Sequence, residues 1–546
     1  MSTNNNQKKI MPPCQAACPI HQDVQGYVKS IAAGKFKEAA QIILTDNPLP
    51  SVCGRICAHP CTDSCTRGKL DQPVNIPGLK RFAMEYLQDY VLPKPDRERS
   101  EKIAVVGSGP AGLLCAYKLR QSGYQVKIFE ALPVAGGMMR VGIPDFRLPP
   151  DVLEREIQLI LDTGIEMQLN TQIGKDITLN ELRSSYKAVF IAIGAHIDIP
   201  LGIVGENLIG VTSGVDFLRR VNLGQEVKVG EKVLVVGGGN SAIDVARTAR
   251  RYGASTMVVY RRTRNEMPAD EAEIEEALKE GVVIHQKENP TSFDGDCEVA
   301  AMTVIKMKLG ELDSSGRPRP VPIEGSEFKI ECDDVFYCIG QSPDLDGLGE
   351  LIGLDVSRWG TFKINELTME TNIPGVFAGG DCVSGPDVVV KAMQAGIKAA
   401  ESIDRYCRGI DLKEDRFFDD MIKGNVMVDE VINLTKKQVQ IQHIPVEERG
   451  LYDEVSTGYL PEQAQTEAFR CMNCILPDSV IEHRNTMDMI TKALQEGMTT
   501  IEEIAQNTNL SKKETFWHIL AMVKYGNVTY EKRVFDCFTY AIKEKE

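Results

Sequence analysis

The chain has 546 residues, 43% apolar and 25% charged, which is the composition of a globular protein large enough for three or four domains. Its formal net charge of −15 argues against the basic surface that nucleic-acid binding needs, and suits solubility or a basic protein partner. No apolar run reaches the about 18 residues of a membrane helix, the first nine residues lack the apolar core of a secretory leader, and the expected setting is cytoplasmic.

Residues 1–98 read as a helical unit. Val24, Tyr27, Val28, Ile31 and Phe36 recur at helical spacing and predict one helix from Val24 to Ala40. The same region holds Cys14, Cys18, Cys53, Cys57, Cys61 and Cys65. In a reducing compartment such a group points to metal or redox chemistry rather than disulfides, and iron–sulfur and zinc both remain open. A charged, proline-bearing linker from Leu92 to Glu101 follows.

From Lys102 onward, apolar β-runs alternate with helical patterns, which predicts an α/β fold. The run Ile103-Ala-Val-Val-Gly107-Ser-Gly109-Pro110-Ala111-Gly112 is a glycine fingerprint. Gly107 permits the tight turn, Gly109 lets the backbone approach a pyrophosphate, and Gly112 lets helix pack on sheet. Glu130 ends the next strand, where an acid accepts ribose hydroxyls. A ligand-free glycine turn is the blander alternative. A second fingerprint runs Lys232-Val-Leu-Val-Val-Gly237-Gly-Gly239-Asn240-Ser241-Ala242, with alanine at its third position. Its second strand ends in Tyr260-Arg261-Arg262, where an NAD site would carry an acid, so a 2′-phosphate and hence NADPH is expected. NADH stays open, as does a merely solvated arginine edge. A third segment, Gly375-Val-Phe-Ala-Gly-Gly380-Asp381, leads into a helix expected from Val388 to Tyr406.

Residues 413–477 read as mixed with helical character and carry Cys471-Met-Asn-Cys474. The tail, 478–546, predicts a helix over Met487 to Gln495, a second helix near Thr500, a longer one from Ser511 through Tyr525, a short strand at Asn527 to Tyr530, and more helix. Its Thr-x-x-Glu-Glu-Ile-Ala segment resembles a winged helix-turn-helix. Its charge balance favours protein docking over DNA.

The chain resembles the glutamate synthase small (β) subunit family, which includes the large subunit of NADH-dependent ferredoxin:NADP oxidoreductase and the N-terminal half of dihydropyrimidine dehydrogenase. Four stretches carry the resemblance: Asn47 to Cys57, Gly136-Gly137-Met-Met-Arg140-Val-Gly-Ile-Pro144, Tyr260 to Pro268, and Ala378 to Asp381. The resemblance implies two nested Rossmann-like units, with FAD at 99–205 plus 345–412 and NADPH at 206–344. It also implies 4Fe–4S clusters in the helical domain. Thioredoxin-reductase relatives share this architecture but carry a Cys-x-x-Cys beside the nicotinamide unit, which this chain lacks.

The relatives begin with a Glu-Ala-x-Arg-Cys-x-x-Cys segment. Here its match lies near the C-terminus, ending at Cys471 and Cys474. The resemblance therefore implies that this segment returns to the helical domain, where Cys14, Cys65, Cys471 and Cys474 hold one cluster. Cys18, Cys57 and Cys61 would hold the other. Its fourth ligand is open: Lys80 stands where relatives have Gln or Glu, Cys53 is the substitute, and His59 is a weaker one. A separate metal or a pairing with another chain is the alternative for Cys471 and Cys474.

The expected function is an electron-transfer flavoprotein subunit. It would move electrons between NAD(P)H, FAD and two clusters to or from a larger redox subunit or ferredoxin, in a hetero-oligomer with no membrane contact. No residue is singled out as catalytic. Glutamate synthase small subunit proper, an electron-bifurcating flavoprotein and a redox-sensing regulator are the alternatives.

Overall fold

The computed structural model describes residues 9–87, 89–313, 316–345, 353–414, 416, 421–423, 437–472, 474, 477–510, 515, 518, 519, 522, 528–534 and 537–542. After the short helix Pro13–Ala17, the helical region has two helices, Val24–Ala32 and Phe36–Asp46, not one helix from Val24 to Ala40. Gly34 breaks the predicted helix: it sits at φ +74°, a left-handed conformation that reverses the chain at little cost only for glycine. The apolar periodicity continues across the break, because both helices bury the same face. Tyr27, Ile31, Ala39, Ile43, Leu79 and Phe82 form that core. The rings of Phe36 and Phe82 meet edge-on at 4.9 Å.

The helix Pro461–Ala468 belongs to the same core, contributing Ala464 and Ala468, with Tyr459 just before it. The C-terminal segment therefore packs into the N-terminal helical region. In the described part of 413–477 this is the only α-helix, so the helical character expected there is confined to one short element.

The first parallel sheet has the order Val376–Ala378, Ala188–Ile191, Lys102–Val106, Gln125–Phe129, Glu166–Gln168. Lys102–Val106, Ala188–Ile191 and Val376–Ala378 are largely buried apolar runs, as expected for a sheet covered on both faces, while the edge strand Glu166–Gln168 is polar and largely exposed. The helix Val389–Arg408 lies against the fingerprint helix Pro110–Gln121. Gly396 makes that approach possible, since a Cβ there would stand 2.2 Å from the Ala111 carbonyl oxygen. The second parallel sheet has the order Val283–Gln286, Ser255–Tyr260, Lys232–Val236, Asp334–Tyr337, Val211–Ser213. An antiparallel sheet built on Ala301–Leu312 is attached to it in sequence. Because Val376–Ala378 completes the first sheet after the second is finished, the second unit is nested within the first.

The tail has helices at Pro477–Gln495 and Ile501–Thr508 and a hairpin of Val528–Val534 with Cys537–Ile542. The helix expected after Tyr530 is a strand. Phe538, Thr539 and Tyr540 are strand-forming residues and pair across to the first arm. Most of the helix expected from Ser511 through Tyr525 lies outside the described residues. Among the described residues no helix is long and apolar enough to cross a membrane.

Candidate functional site

Both glycine fingerprints open at the C-terminal ends of their sheets, where ligands bind in doubly wound folds. At the first, Gly107 leaves the strand at φ +102°, and a Cβ there would lie 2.4 Å from the Ala192 carbonyl oxygen. Gly112 is also obligatory, since its Cβ would be 1.9 Å from the Gly107 oxygen. Gly109 has open space where its Cβ would point, and it caps the helix that Pro110 and Ala111 begin. That empty cradle at a helix N-terminus is the shape a pyrophosphate requires.

The Glu130 carboxylate accepts hydrogen bonds from the Ser108 amide at 2.8 Å, the Ser108 hydroxyl at 2.5 Å and the Leu132 amide at 2.9 Å. It braces the turn and keeps acceptor capacity for a ribose hydroxyl. Gly137, at φ +55°, backs onto Gly109, where its Cβ would meet the Gly109 Cα at 2.9 Å. Arg140 is directed instead to the Asn222 carbonyl at 3.3 Å and to Glu154 at 3.5 Å. Gly380, at φ +78°, brings Asp381 into the same cavity. Burial pushes the Asp381 carboxyl up to about 7, against a hydrogen bond from the Asp387 backbone that works to lower it.

At the second fingerprint, Gly237 would place a Cβ 2.4 Å from the Cys338 carbonyl oxygen, and Gly238 lies against the ring of Tyr260. Gly239 caps the helix Asn240–Arg251. Asn240 accepts from the Asp270 amide at 2.9 Å, Ser241 lines the cavity, and Ala242 is buried in the helix–sheet contact. The two arginines differ. Arg262 is buried, paired with Asp313 at 2.6 Å and with the Pro318 carbonyl at 2.7 Å. Arg261 is exposed on the cavity wall and, among the described residues, has no hydrogen-bond or ion-pair partner. Arg264 is engaged by Glu271 and Glu275.

The two fingerprints share one cavity of about 1370 Å³. Cys57 and His59 of the helical region form part of its wall. His59 Nε2 lies 2.9 Å from Asp270, which joins the helical region to the second Rossmann-like unit. His196 also lines the cavity, and burial together with Arg219 lowers its pKa to about 4, so it is neutral at pH 7.

The thiols fall into two groups. Cys14, Cys65, Cys471 and Cys474 line one small cavity, although some 400 residues of sequence separate the pairs. Burial raises the Cys14 pKa, and Cys471, Cys65, Cys474 and Cys61 each raise it further, which reflects their closeness. Arg470 and Arg67 lock the returning segment in place: Arg67 donates to the Arg470 carbonyl at 3.0 Å, and Arg470 to the Gln72 carbonyl at 2.6 Å. The second group is Cys18, Cys53, Cys57 and Cys61, all of which face the buried Lys80. Cys53 also touches the Met393 sulfur at 3.6 Å and is pushed up to about 12 by burial.

Tyr27 stands between the groups. Its hydroxyl is buried, has no hydrogen-bond partner among the described residues, and faces Cys61, Cys18, Cys14 and Cys57. An orphaned donor among thiols fits a sulfide-bearing cluster, whose sulfurs accept hydrogen bonds. Among the described residues no three His, Cys, Asp or Glu side chains are disposed to hold a single metal ion. A single ion would need its ligands drawn close around it. A cluster holds its thiolates apart around several irons, so the wider thiol groups described here are not in conflict with it.

A model of the pyridine nucleotide-disulphide oxidoreductase family matches residues 101–396, more than half of the chain. The chain belongs to this family. Residues 8–91 match a second model, dihydropyrimidine dehydrogenase domain II, 4Fe–4S cluster. This family member is therefore an oxidoreductase with FAD/NAD(P)-type dinucleotide binding and a 4Fe–4S region, of the electron-transfer kind. It is 39% identical over 507 residues to the NADPH-Fe(3+) oxidoreductase subunit beta of Geobacter sulfurreducens, covering 85% of this chain and 75% of the relative. It is 43% identical to the NADP(+)-dependent formate dehydrogenase subunit beta of Moorella thermoacetica, covering 73% of this chain and 60% of that relative. It is 35% identical to the glutamate synthase [NADPH] small chain of Azospirillum brasilense, covering 73% and 87%. Among solved structures, Mycobacterium tuberculosis FprA in complex with NADPH aligns with a TM-score of 0.51 at 20% identity, covering 57% of this chain and 85% of that one, a likeness of fold.

Sequence reasoning passed over Tyr27, His196 and Asp270. Tyr27 was legible only as one more apolar-face residue of a helix. His196 and Asp270 are isolated polar residues whose partners lie 23 and 211 positions away.

Proposed function

We propose that this chain is the NADPH-oxidising or NADP-reducing electron-transfer subunit of a hetero-oligomer. It exchanges electrons through FAD and two 4Fe–4S clusters with a larger redox subunit or ferredoxin. The observation that carries the reading is the shared cavity, which has both glycine turns and the thiol-bearing Cys57 in its wall. When bound, FAD supplies the conversion between two-electron hydride chemistry and the one-electron steps that iron–sulfur clusters support.

The protein's own part is positioning. The helix begun by Pro110 and Ala111 presents its amides to the FAD pyrophosphate, with Gly112 seating that helix on the sheet and Glu130 at the ribose. Gly237 and Gly239, with Asn240 and Ser241, do the same for the nicotinamide dinucleotide, and Arg261 meets its 2′-phosphate. Asp381 closes the flavin side and Gly137 backs the first turn. His196 stays neutral and adds no charge to the cavity. Cys14, Cys65, Cys471 and Cys474 hold one cluster. Cys18, Cys57 and Cys61 hold the other, with Cys53 the remaining thiol. The names of the relatives favour a subunit of a larger enzyme, and the thiols require a reducing compartment such as the cytoplasm.

Anaerobically purified full-length protein should contain one FAD and about eight irons per chain, two clusters of four. NADPH should bleach the flavin absorbance. Zinc in place of iron, or about four irons with none lost in handling, would overturn the two-cluster reading.

A further inference from the structure

Lysine is almost never fully buried without a partner. Lys80, on the helix Ile76–Tyr86, is only 7% exposed. Among the described residues its ammonium makes no hydrogen bond and no ion pair with a carboxylate. The groups that face it are the thiols of Cys53, Cys18, Cys57 and Cys61. The next residue, Arg81, shows the ordinary arrangement, with Glu85 at 2.6 Å and Glu454 at 2.7 Å. Nor can Lys80 swing away easily. The helix that carries it packs directly on Pro50–Ile56, where a Cβ at Gly54 would lie 2.9 Å from the Arg81 Cβ and 3.0 Å from its amide nitrogen. A fixed, desolvated ammonium is strongly unfavourable unless negative charge is built beside it. Among the described residues, the groups set beside it to supply that charge are the thiolates of Cys53, Cys18, Cys57 and Cys61, and what they hold.

We propose that Lys80 is a built-in cation that raises the reduction potential of the cluster held by Cys18, Cys57 and Cys61. This rests on the cluster reading given above. On reduction the cluster gains one electron from the flavin side and becomes more negative by one charge. Lys80 keeps its proton in both states, so no proton crosses. Net charge beside a cluster is one of the levers that set its potential, and a nearby cation favours the reduced form. Cys57 is both in this group and in the wall of the shared cavity, so Lys80 would tune the first cluster that electrons meet.

The test is an EPR-monitored redox titration of full-length, anaerobically purified protein, with iron and FAD quantified. Lys80→Met removes the charge at similar length, and Lys80→Arg keeps it. In Lys80→Met, iron, FAD and both cluster signals should remain. One midpoint should fall so that the ratio of reduced to oxidised cluster at fixed potential drops at least tenfold, which is 59 mV for a one-electron couple. The other midpoint should stay, and Lys80→Arg should lie closer to wild type. About eight irons with an unshifted midpoint would sink the proposal while leaving the cluster reading intact. Loss of that cluster's iron from both variants, with FAD retained, would make Lys80 a ligand or packing group and also overturn it. About four irons in wild type would sink the cluster reading itself. If Lys80→Met does not accumulate as a flavoprotein, Lys80→Leu, which likewise removes the charge without supplying a ligand, carries the same expectation and the same refutation.

Discussion

Arg261 and Arg262 are adjacent in the chain and opposite in circumstance. On a strand, successive side chains point to opposite faces, and the same alternation carries over just past the end of Ser255–Tyr260. Arg262 turns inward to Asp313 and the Pro318 carbonyl, and Arg261 turns out to the cavity. Arg261→Ala should therefore raise the NADPH Michaelis constant about 10- to 100-fold, the value of a charge-assisted hydrogen bond to phosphate of about 1.5–3 kcal/mol, and leave that for NADH nearly unchanged. Arg262→Ala should instead lower stability by about 1–3 kcal/mol, because Asp313 and a carbonyl lose their donor. Steady-state kinetics with both nucleotides, together with urea unfolding, separates the two. Equal effects of Arg261→Ala on NADPH and NADH would refute the phosphate role. The sequence revealed an arginine pair where an acid would otherwise stand. It did not reveal which arginine was free, because the partner Asp313 lies 51 residues further on, just past the end of the strand Ala301–Leu312.

The returning segment 437–472, with little regular structure before the helix Pro461–Ala468, shows how such an element is held. Arg449 pairs with Glu276 at 2.7 Å and Glu280 at 2.6 Å, and Glu454 pairs with Arg55 at 2.8 Å. Glu467, fully buried, accepts from the amides of Asn75 and Val439 at 2.9 and 2.8 Å. Burial alone would raise the Glu280 pKa, but hydrogen bonds from Arg247 and Arg251 outweigh it and hold the carboxyl at about 2. A depressed carboxylate pKa gives stability that is present above the unfolded value near 4.5 and is lost as pH falls through about 2. The Arg449–Glu280 part of this docking should thus be insensitive to pH from 5 upward and weaken in acid. Arg449→Met should loosen it at neutral pH by about 3–5 kcal/mol at most, since Glu276 and Glu280 keep other partners. Hydrogen exchange should show faster amides in 437–460 without change in the first sheet. Unaltered exchange there would rule out the anchor. Motif and period made the glycine turns and the sheets legible, and the family resemblance implied the destination of Cys471 and Cys474. The helix break at Gly34 and the strand after Tyr530 were not, because apolar periodicity carries across a turn and a short strand competes with helix on tertiary pairing.

At the scale of the whole molecule, the chain closes on itself at its thiols. Cys14 and Cys65 from the start meet Cys471 and Cys474 from near the end, and the tail from Pro477 follows beyond that closure. The closure does not depend on metal alone. Tyr459 reaches Asn75 at 3.0 Å and the Val439 carbonyl at 2.7 Å, Arg470 binds Glu467 at 2.8 Å, and Ala464 and Ala468 fill the helical core. Substituting Cys471 and Cys474 together with serine should therefore leave the segment docked while removing two of the four proposed ligands. Iron should fall from about eight to about four per chain, with one EPR signal lost, FAD retained and the second cluster in place. NADPH-dependent flavin bleaching should persist, because both fingerprints and Cys57 are untouched. Transfer to the partner subunit should fail if the lost cluster is the exit. Removing 478–546 instead should spare every cofactor and weaken only partner association. Two intact clusters in the serine variant would show that the four thiols meet without sharing iron, and would leave their convergence as packing alone.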